Sequence, residues 1–269
     1  MKADVIGAVT ASSVGTLVPG HTANTKGSYT QIVAATSSDC HAIVISLLCA
    51  LTSYTATNLV DIAVGASGSE QIIIPDILVC SDQWDAYNGA NLLLPVEIPA
   101  GSRIAARCAG SSTSQGISVV AQLMNEEGLI GKVVPGRKVA TYGQVAASSR
   151  GTAIDPGATV NTKGAFTQLV ATTDDDLQGF YLLFGNGGAS KSGSGNALVD
   201  IAIGGAGAEQ VILSNFPIGL DSNSEIWSPT VSPFFRLRIP AGSRISARAQ
   251  SSINTAGTRT FDLTLTGVV

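Results

Sequence analysis

Hydrophobic and polar residues alternate along this chain in short runs, and the runs are separated by turn-forming residues. In LVDIAVG (59–65), Val60, Ile62 and Val64 fall on one face of an extended strand, and Asp61 and Ala63 on the other. In RIAARC (103–108), Ile104, Ala106 and Cys108 oppose Arg103, Ala105 and Arg107. This period of two predicts strands at 29–36, 42–49, 58–64, 70–74, 76–80, 92–98, 103–109 and 117–124, with a further strand near 5–12. No long stretch repeats with helical period. Short strands at regular spacing predict an all-β fold of the sandwich, jelly-roll-like type. The IPAG turn (98–101) fits a type I geometry with Pro99 second and Gly101 fourth.

The pattern occurs twice. ASS-x-GT at 11–16 returns at 147–152, and NTKG at 24–27 returns at 161–164. QIVAAT at 31–36 returns as QLVATT at 168–173, LVDIAVG as LVDIAIG at 198–204, and EQIII at 70–74 as EQVIL at 209–213. IPAGSRIAAR (98–107) returns as IPAGSRISAR (239–248), identical at nine of ten positions. The order is kept while the offset grows from 136 to 141, so the second copy has small insertions between matched blocks, where loops belong. The expected organisation is two tandem homologous β-sandwich domains, 1–124 and 145–269. A connector, 125–144, joins them and holds Gly, Pro and five charges, with a strand allowed in part of it. Each copy is long enough to bury its own core.

Composition refines this picture. Lys and Arg number 15 and Asp and Glu 19, so charged residues are 13% of the chain, about half the usual share. Mean hydropathy is +0.31. The longest apolar run, AIVISLLCAL (42–51), is far shorter than the roughly 20 residues of a spanning helix, so no membrane insertion is expected. Net charge is −4: −4 over 1–124, +1 over 125–144 and −1 over 145–269. No basic stripe exists, which argues against a nucleic-acid partner. A greasy chain with few charges is expected to bury part of its surface in an assembly. No signal peptide is expected in MKADVIGAVT, and Cys40, Cys49, Cys80 and Cys108 are expected as buried free thiols.

Candidate chemistry is sparse. His21 and His41 are the only histidines and the second copy has none, so neither a histidine triad nor a metal centre is expected, and no cofactor. GNGGASKSGSGN (185–196) lacks the spacing of a phosphate loop. The carboxylates Asp61 and Asp200, with Glu70 and Glu209, occur in both copies. An acid/base pair for glycan cleavage is one reading. The favoured one is a structural ion-pair network with Arg103 and Arg107, and with Arg244 and Arg248 in the second copy. Each arginine pair is four apart on a strand and so projects from one face. Each copy also places a Trp in the long segment before IPAGSR. Trp84 with Tyr87, and Trp227 with Phe234 and Phe235, are candidate contacts for a partner protein or a glycan, or plugs at the sandwich end.

The blocks LVDIAVG…EQIIIP and IPAGSRIAAR resemble a recurring β-sandwich unit of virion proteins in tailed bacteriophages, over most of both copies. The resemblance implies a non-enzymatic structural part of the particle, assembled in the host cytoplasm. Capsid decoration (cement) comes first, bridging neighbouring subunits through two related sandwiches. The expected partners are other virion proteins, capsid or tail subunits, and further copies of the chain in a homo-oligomer. The alternative is a tail or neck component that binds a host-surface glycan. The resemblance supplies no catalytic residues.

Overall fold

The computed structural model describes residues 3–7, 15–49, 56–81, 90–113, 116–125, 138–185, 195–220 and 231–269. They form an all-β protein. The chain divides into two compact units. One holds Met1–Thr141 with Ala146–Ser149 and Val268–Val269; the other holds Tyr142–Val145 with Arg150–Gly267. Among the described residues, no helix is long and apolar enough to cross a membrane.

The strands up to residue 124 are β1 (Ala3–Ile6), β2 (Thr16–Val18), β3 (Thr30–Val33), β4 (Ala42–Cys49), β5 (Ala56–Val64), β6 (Gln71–Ser81), β7 (Ala90–Leu94), β8 (Ile104–Gly110) and β9 (Ile117–Met124). One antiparallel sheet runs β1-β9-β4-β7, with β2 also on β9; the other runs β3-β8-β5-β6. β1 pairs with residues 121–124 of β9 and β2 with 117–119, so the two are halves of one interrupted strand. Counted that way the described residues form eight strands, ordered 1-8-3-6 and 2-7-4-5. This is the double Greek-key order of a jelly roll.

The second half repeats it. Its strands are β10 (Val139–Tyr142), β11 (Gln144–Val145), β12 (Arg150–Ile154), β13 (Thr167–Val170), β14 (Gly179–Gly185), β15 (Gly195–Ile203), β16 (Gln210–Leu220), β17 (Ile245–Ser251) and β18 (Phe261–Val268). The four-stranded sheet is β13-β17-β15-β16, strand for strand the order of β3-β8-β5-β6. β12 and β14 both pair with β18, as β2 and β4 both pair with β9. Among the described residues, the place of β7 is taken by a segment that bridges β14 at Phe235 and Val231. A single helical turn, Ala256–Arg259, is inserted before β18. Arg259 grips Asp155 there through two guanidinium nitrogens, at 2.5 and 3.0 Å.

The sandwich core follows from the alternation. Ile43, Ile45 and Leu47 of β4 and Val119, Ala121 and Leu123 of β9 are buried. So are Val60 and Ile62 of β5 and Ile104, Ala106 and Cys108 of β8. Burial raises the thiol of Cys108 to about 11, partly offset by the nearby Lys26 charge, and raises that of Cys40 as well. Both are free and buried, so they act as small apolar groups.

Two local expectations are corrected. The runs 70–74 and 76–80 are not separate strands. They are one 11-residue edge strand, β6, which stays paired to β5 across an irregularity near Pro75–Asp76. Asp76 adopts φ 51° there and gives its amide to Asp61 Oδ1 at 2.9 Å, so the proline bends the strand without ending it. The IPAG turn is also one residue later than a type I reading places it. Ser102 N donates to Pro99 O, and Gly101 sits third with φ +75°. That is the type II position, where a left-handed φ favours glycine. Gly242 repeats it with φ +79°.

Candidate functional site

The polar residues selected from the sequence converge on the outer face of the β3-β8-β5-β6 sheet. Asp61 points outward from the middle of β5 and is 2% exposed. Each of its oxygens is occupied. Oδ1 accepts from Lys26 Nζ at 2.7 Å and from the Asp76 amide at 2.9 Å, and Oδ2 accepts from Arg107 Nε at 2.9 Å. Lys26 also donates to Leu59 O at 2.9 Å and ion-pairs with Asp76 Oδ1 at 2.9 Å. The Arg107 guanidinium lies over the Tyr29 ring, 4.7 Å from its centroid. One carboxylate therefore ties together the segment leading into β3, strands β5 and β8, and the bend of β6.

Arg103 does not join that cluster. Its Nη1 donates to Glu70 Oε1 at 2.9 Å and to Gly65 O at 3.2 Å, and its Nε to Gln31 Oε1 at 3.1 Å. Beneath these side chains lie Ala63 and Ala105, register partners in β5 and β8, both fully buried. The arginine stems and Tyr29 roof over an alanine pair, which is why β5 is buried on both faces although only one faces the core.

The second unit rebuilds this arrangement. Asp200 Oδ1 accepts from Lys163 Nζ at 2.7 Å and from the Asn215 amide at 2.9 Å, and Oδ2 from Arg248 Nε at 3.0 Å. Lys163 donates to Leu198 O at 3.0 Å, and Arg248 lies over Phe166 at 4.5 Å. Arg244 holds Glu209 Oε1 at 3.1 Å, Gly204 O at 3.2 Å and Gln168 Oε1 at 2.8 Å. The IPAGSR turn is clamped alike in both. Thr36 Oγ1 donates to Pro99 O and accepts from Ser102 N, while Asp39 accepts from Ala100 N. Thr173 and Asp176 do the same at Pro240, Ser243 and Ala241.

The electrostatics suit bracing. Burial alone would raise Asp200, but Lys163, the Asn215 amide and Arg248 outweigh it and hold the carboxyl below its ordinary value. Glu70 and Glu209 are lowered by their own backbone amides and by Arg103 and Arg244. A general acid must be protonated at working pH, and these three are pushed the wrong way. Groups with lowered folded values contribute stability above the ordinary carboxylate range and lose it as pH falls through the folded values. The urea midpoint is therefore expected to stay flat down to about 4.5, the ordinary Glu value, and to fall once pH passes below 3.8, the ordinary Asp value. Midpoints measured from pH 7 to 2.5 check this. A decline beginning well above pH 4.5 would count against these carboxylates as the source of the linkage.

Lys26 and Lys163 were not singled out from the sequence as site residues. The signal was present, since NTKG recurs at 161–164, but nothing in the pattern tied that loop to the middle of β5. Trp84, Tyr87 and Trp227 lie outside the described residues. Phe234 and Phe235 are described and half-buried. Phe235 exchanges backbone hydrogen bonds with Phe180 and sets its ring 5.7 Å away at a tilt of 46°, and Phe234 packs on Tyr181 at 5.1 Å. These two are attached to β14 and do not stand free in a loop.

No protein-family model and no curated protein matches the chain. Among solved structures it is similar to that of PNGF-II in the P21 space group, at 12% identity and a TM-score of 0.40. That alignment covers 100% of this chain, which spans 64% of the length of PNGF-II. The N-terminal CBM22-1-CBM22-2 tandem domain of Paenibacillus barcinonensis Xyn10C aligns at 11% identity and a TM-score of 0.26, over 100% of this chain and 91% of that one. The structure of infectious bursal disease virus Gx strain aligns at 14% identity and a TM-score of 0.22, over 99% of this chain and 67% of that one.

Proposed function

We propose that this chain is a non-enzymatic structural protein of a tailed-bacteriophage virion, in first place a capsid decoration protein. Its two jelly rolls serve as rigid blocks that bridge neighbouring subunits. The observation that carries the non-enzymatic part is the duplicated Asp61 and Asp200 hub. Each carboxylate is buried, both of its oxygens are occupied by cations and a backbone amide, and the same brace stands in both units. A catalytic carboxylate needs an oxygen open to substrate, whereas a fold needs the same brace wherever it is repeated. The virion part rests on the sequence resemblance. It is supported by a low charge content and by the jelly-roll order, which recurs in capsid and lectin domains. Fold alone does not fix function. Weak contacts from two related blocks on one chain add through multivalency, which suits a bridging role.

Quantitative mass spectrometry of purified particles, against the major capsid protein, tests the proposal. Hundreds of copies per particle are expected. A few copies, in multiples of three, six or twelve, would move the protein to the tail or neck. Absence from particles would overturn the structural reading.

A further inference from the structure

The two hubs differ at one position, and the difference is one of charge. In the first unit, Lys26 and Arg107 face Asp61 and Asp76, two cations against two carboxylates. In the second, Asn215 stands where Asp76 stands. It has the same left-handed backbone, φ 56° against 51°, and donates its amide to Asp200 Oδ1 at the same 2.9 Å. Lys163 and Arg248 therefore face Asp200 alone among the described residues. The neighbouring Arg244–Glu209 pair is balanced and does not offset the excess. Asn215 is exposed, and Lys163 and Arg248 keep 18% and 31% of their side chains open to solvent.

We propose that the second unit carries a carboxylate-binding site at Lys163, bordered by Arg248 and Asn215, which accepts an acidic side chain of a neighbouring protein. The first unit shows the bound geometry, because there the chain's own Asp76 places a carboxylate oxygen 2.9 Å from the equivalent ammonium. In the second unit Asn215 brings a neutral carboxamide to that place, so a second negative partner for the ammonium has to come from an external group. Lys163 is held ready by Leu198 O and Asp200, so little side-chain freedom is lost on binding. Val211, 41% exposed on the same edge strand, offers apolar contact to the chain bearing the carboxylate. The consequence is polarity: two units of one fold present different surfaces, one self-satisfied and one receptive. The inference rests on the two hubs alone and stands whether or not the protein is found on particles.

The test uses the full chain, isotopically labelled, with sodium acetate and a short blocked peptide containing one Asp as probes. Sodium chloride at equal ionic strength is the control. Saturable NMR shifts are expected at the Asn215 amide and the Arg248 Nε–H, with none at Asp76 or Arg107. The peptide should bind more tightly than acetate. Asn215→Asp copies the first unit, so it folds, and it should weaken both probes by about tenfold or more, the worth of a hydrogen bond to a charged group. Asp76→Asn should create the same response in the first unit. Shifts that never saturate, that match between units, or that survive Asn215→Asp overturn the site. Peptide binding no tighter than acetate would mean a free carboxylate is the ligand and would overturn the docking role.

Discussion

Asp61→Ala is expected to destabilise the first unit by about 3–5 kcal/mol, and Asp200→Ala the second by a similar amount. Removing a buried carboxylate leaves the cations gathered around it uncompensated. Here two cations and a backbone amide lose their acceptor in one step. The loss should be local. In the Asp61→Ala variant, hydrogen-exchange protection should fall across β5, β6 and β8 and stay unchanged across β15 and β17. Asp61→Asn keeps the volume and an acceptor for the Asp76 amide, so it should cost less than Asp61→Ala. Adding Lys26→Met to Asp61→Ala should recover part of the loss, because it removes one of the stranded charges. Denaturant unfolding of the set checks this. A change under about 1 kcal/mol for Asp61→Ala would mean that the cations return to water freely, as exposed ion pairs do.

How much of this was readable in the chain depends on what each feature needs. The sandwich class and the duplication needed only local alternation and self-comparison. The convergence of Asp61 with Arg107 needed one further step, that β5 and β8 be neighbours, and the shared pattern of charges in both copies pointed there. That Arg103 turns to Glu70 and leaves Asp61 to Arg107 depends on register, which sets Asp61 opposite Arg107. Register between strands forty residues apart is not written in either strand. The same holds for Lys26, whose loop reaches Asp61 only after β3 has docked on β8. The bend in β6 was hidden for a different reason. A proline in an apolar run reads as a break, yet an edge strand tolerates it, because one side of its backbone is unpaired. The shifted IPAG turn was decided by glycine. Only the third position of the turn requires a left-handed residue, and the spacing alone did not say which position Gly101 held.

Phe184→Ala is expected to cost the second unit about 3–5 kcal/mol, the range for deleting a buried ring. Phe184 is 1% exposed, stacks on Phe216 at 5.8 Å with planes 5° apart, and meets Phe261 at 6.1 Å. Phe216 in turn meets Phe235 edge-on at 5.5 Å, and Phe235 meets Phe180. The first unit is filled with aliphatic residues at the matching positions, Ile43 for Phe180 and Leu47 for Phe184. The exchange was accompanied by a shrinkage beside it: Ala42 becomes Gly179, where a Cβ would meet the Phe234 ring and come within 2.6 Å of the Phe235 carbonyl. The two cores are thus different solutions for one backbone, and their residues should not be interchangeable. Phe184→Leu, which imports the residue of the first unit, should cost less than Phe184→Ala and more than a volume-conserving swap, above about 1.5 kcal/mol. Leu47→Phe should destabilise the first unit by about 1–3 kcal/mol through overpacking. Thermal and urea unfolding of the three variants decides the matter. If Phe184→Leu is neutral, the ring contacts add nothing beyond apolar volume, and the aromatic cluster is a drifted core with no specificity of its own.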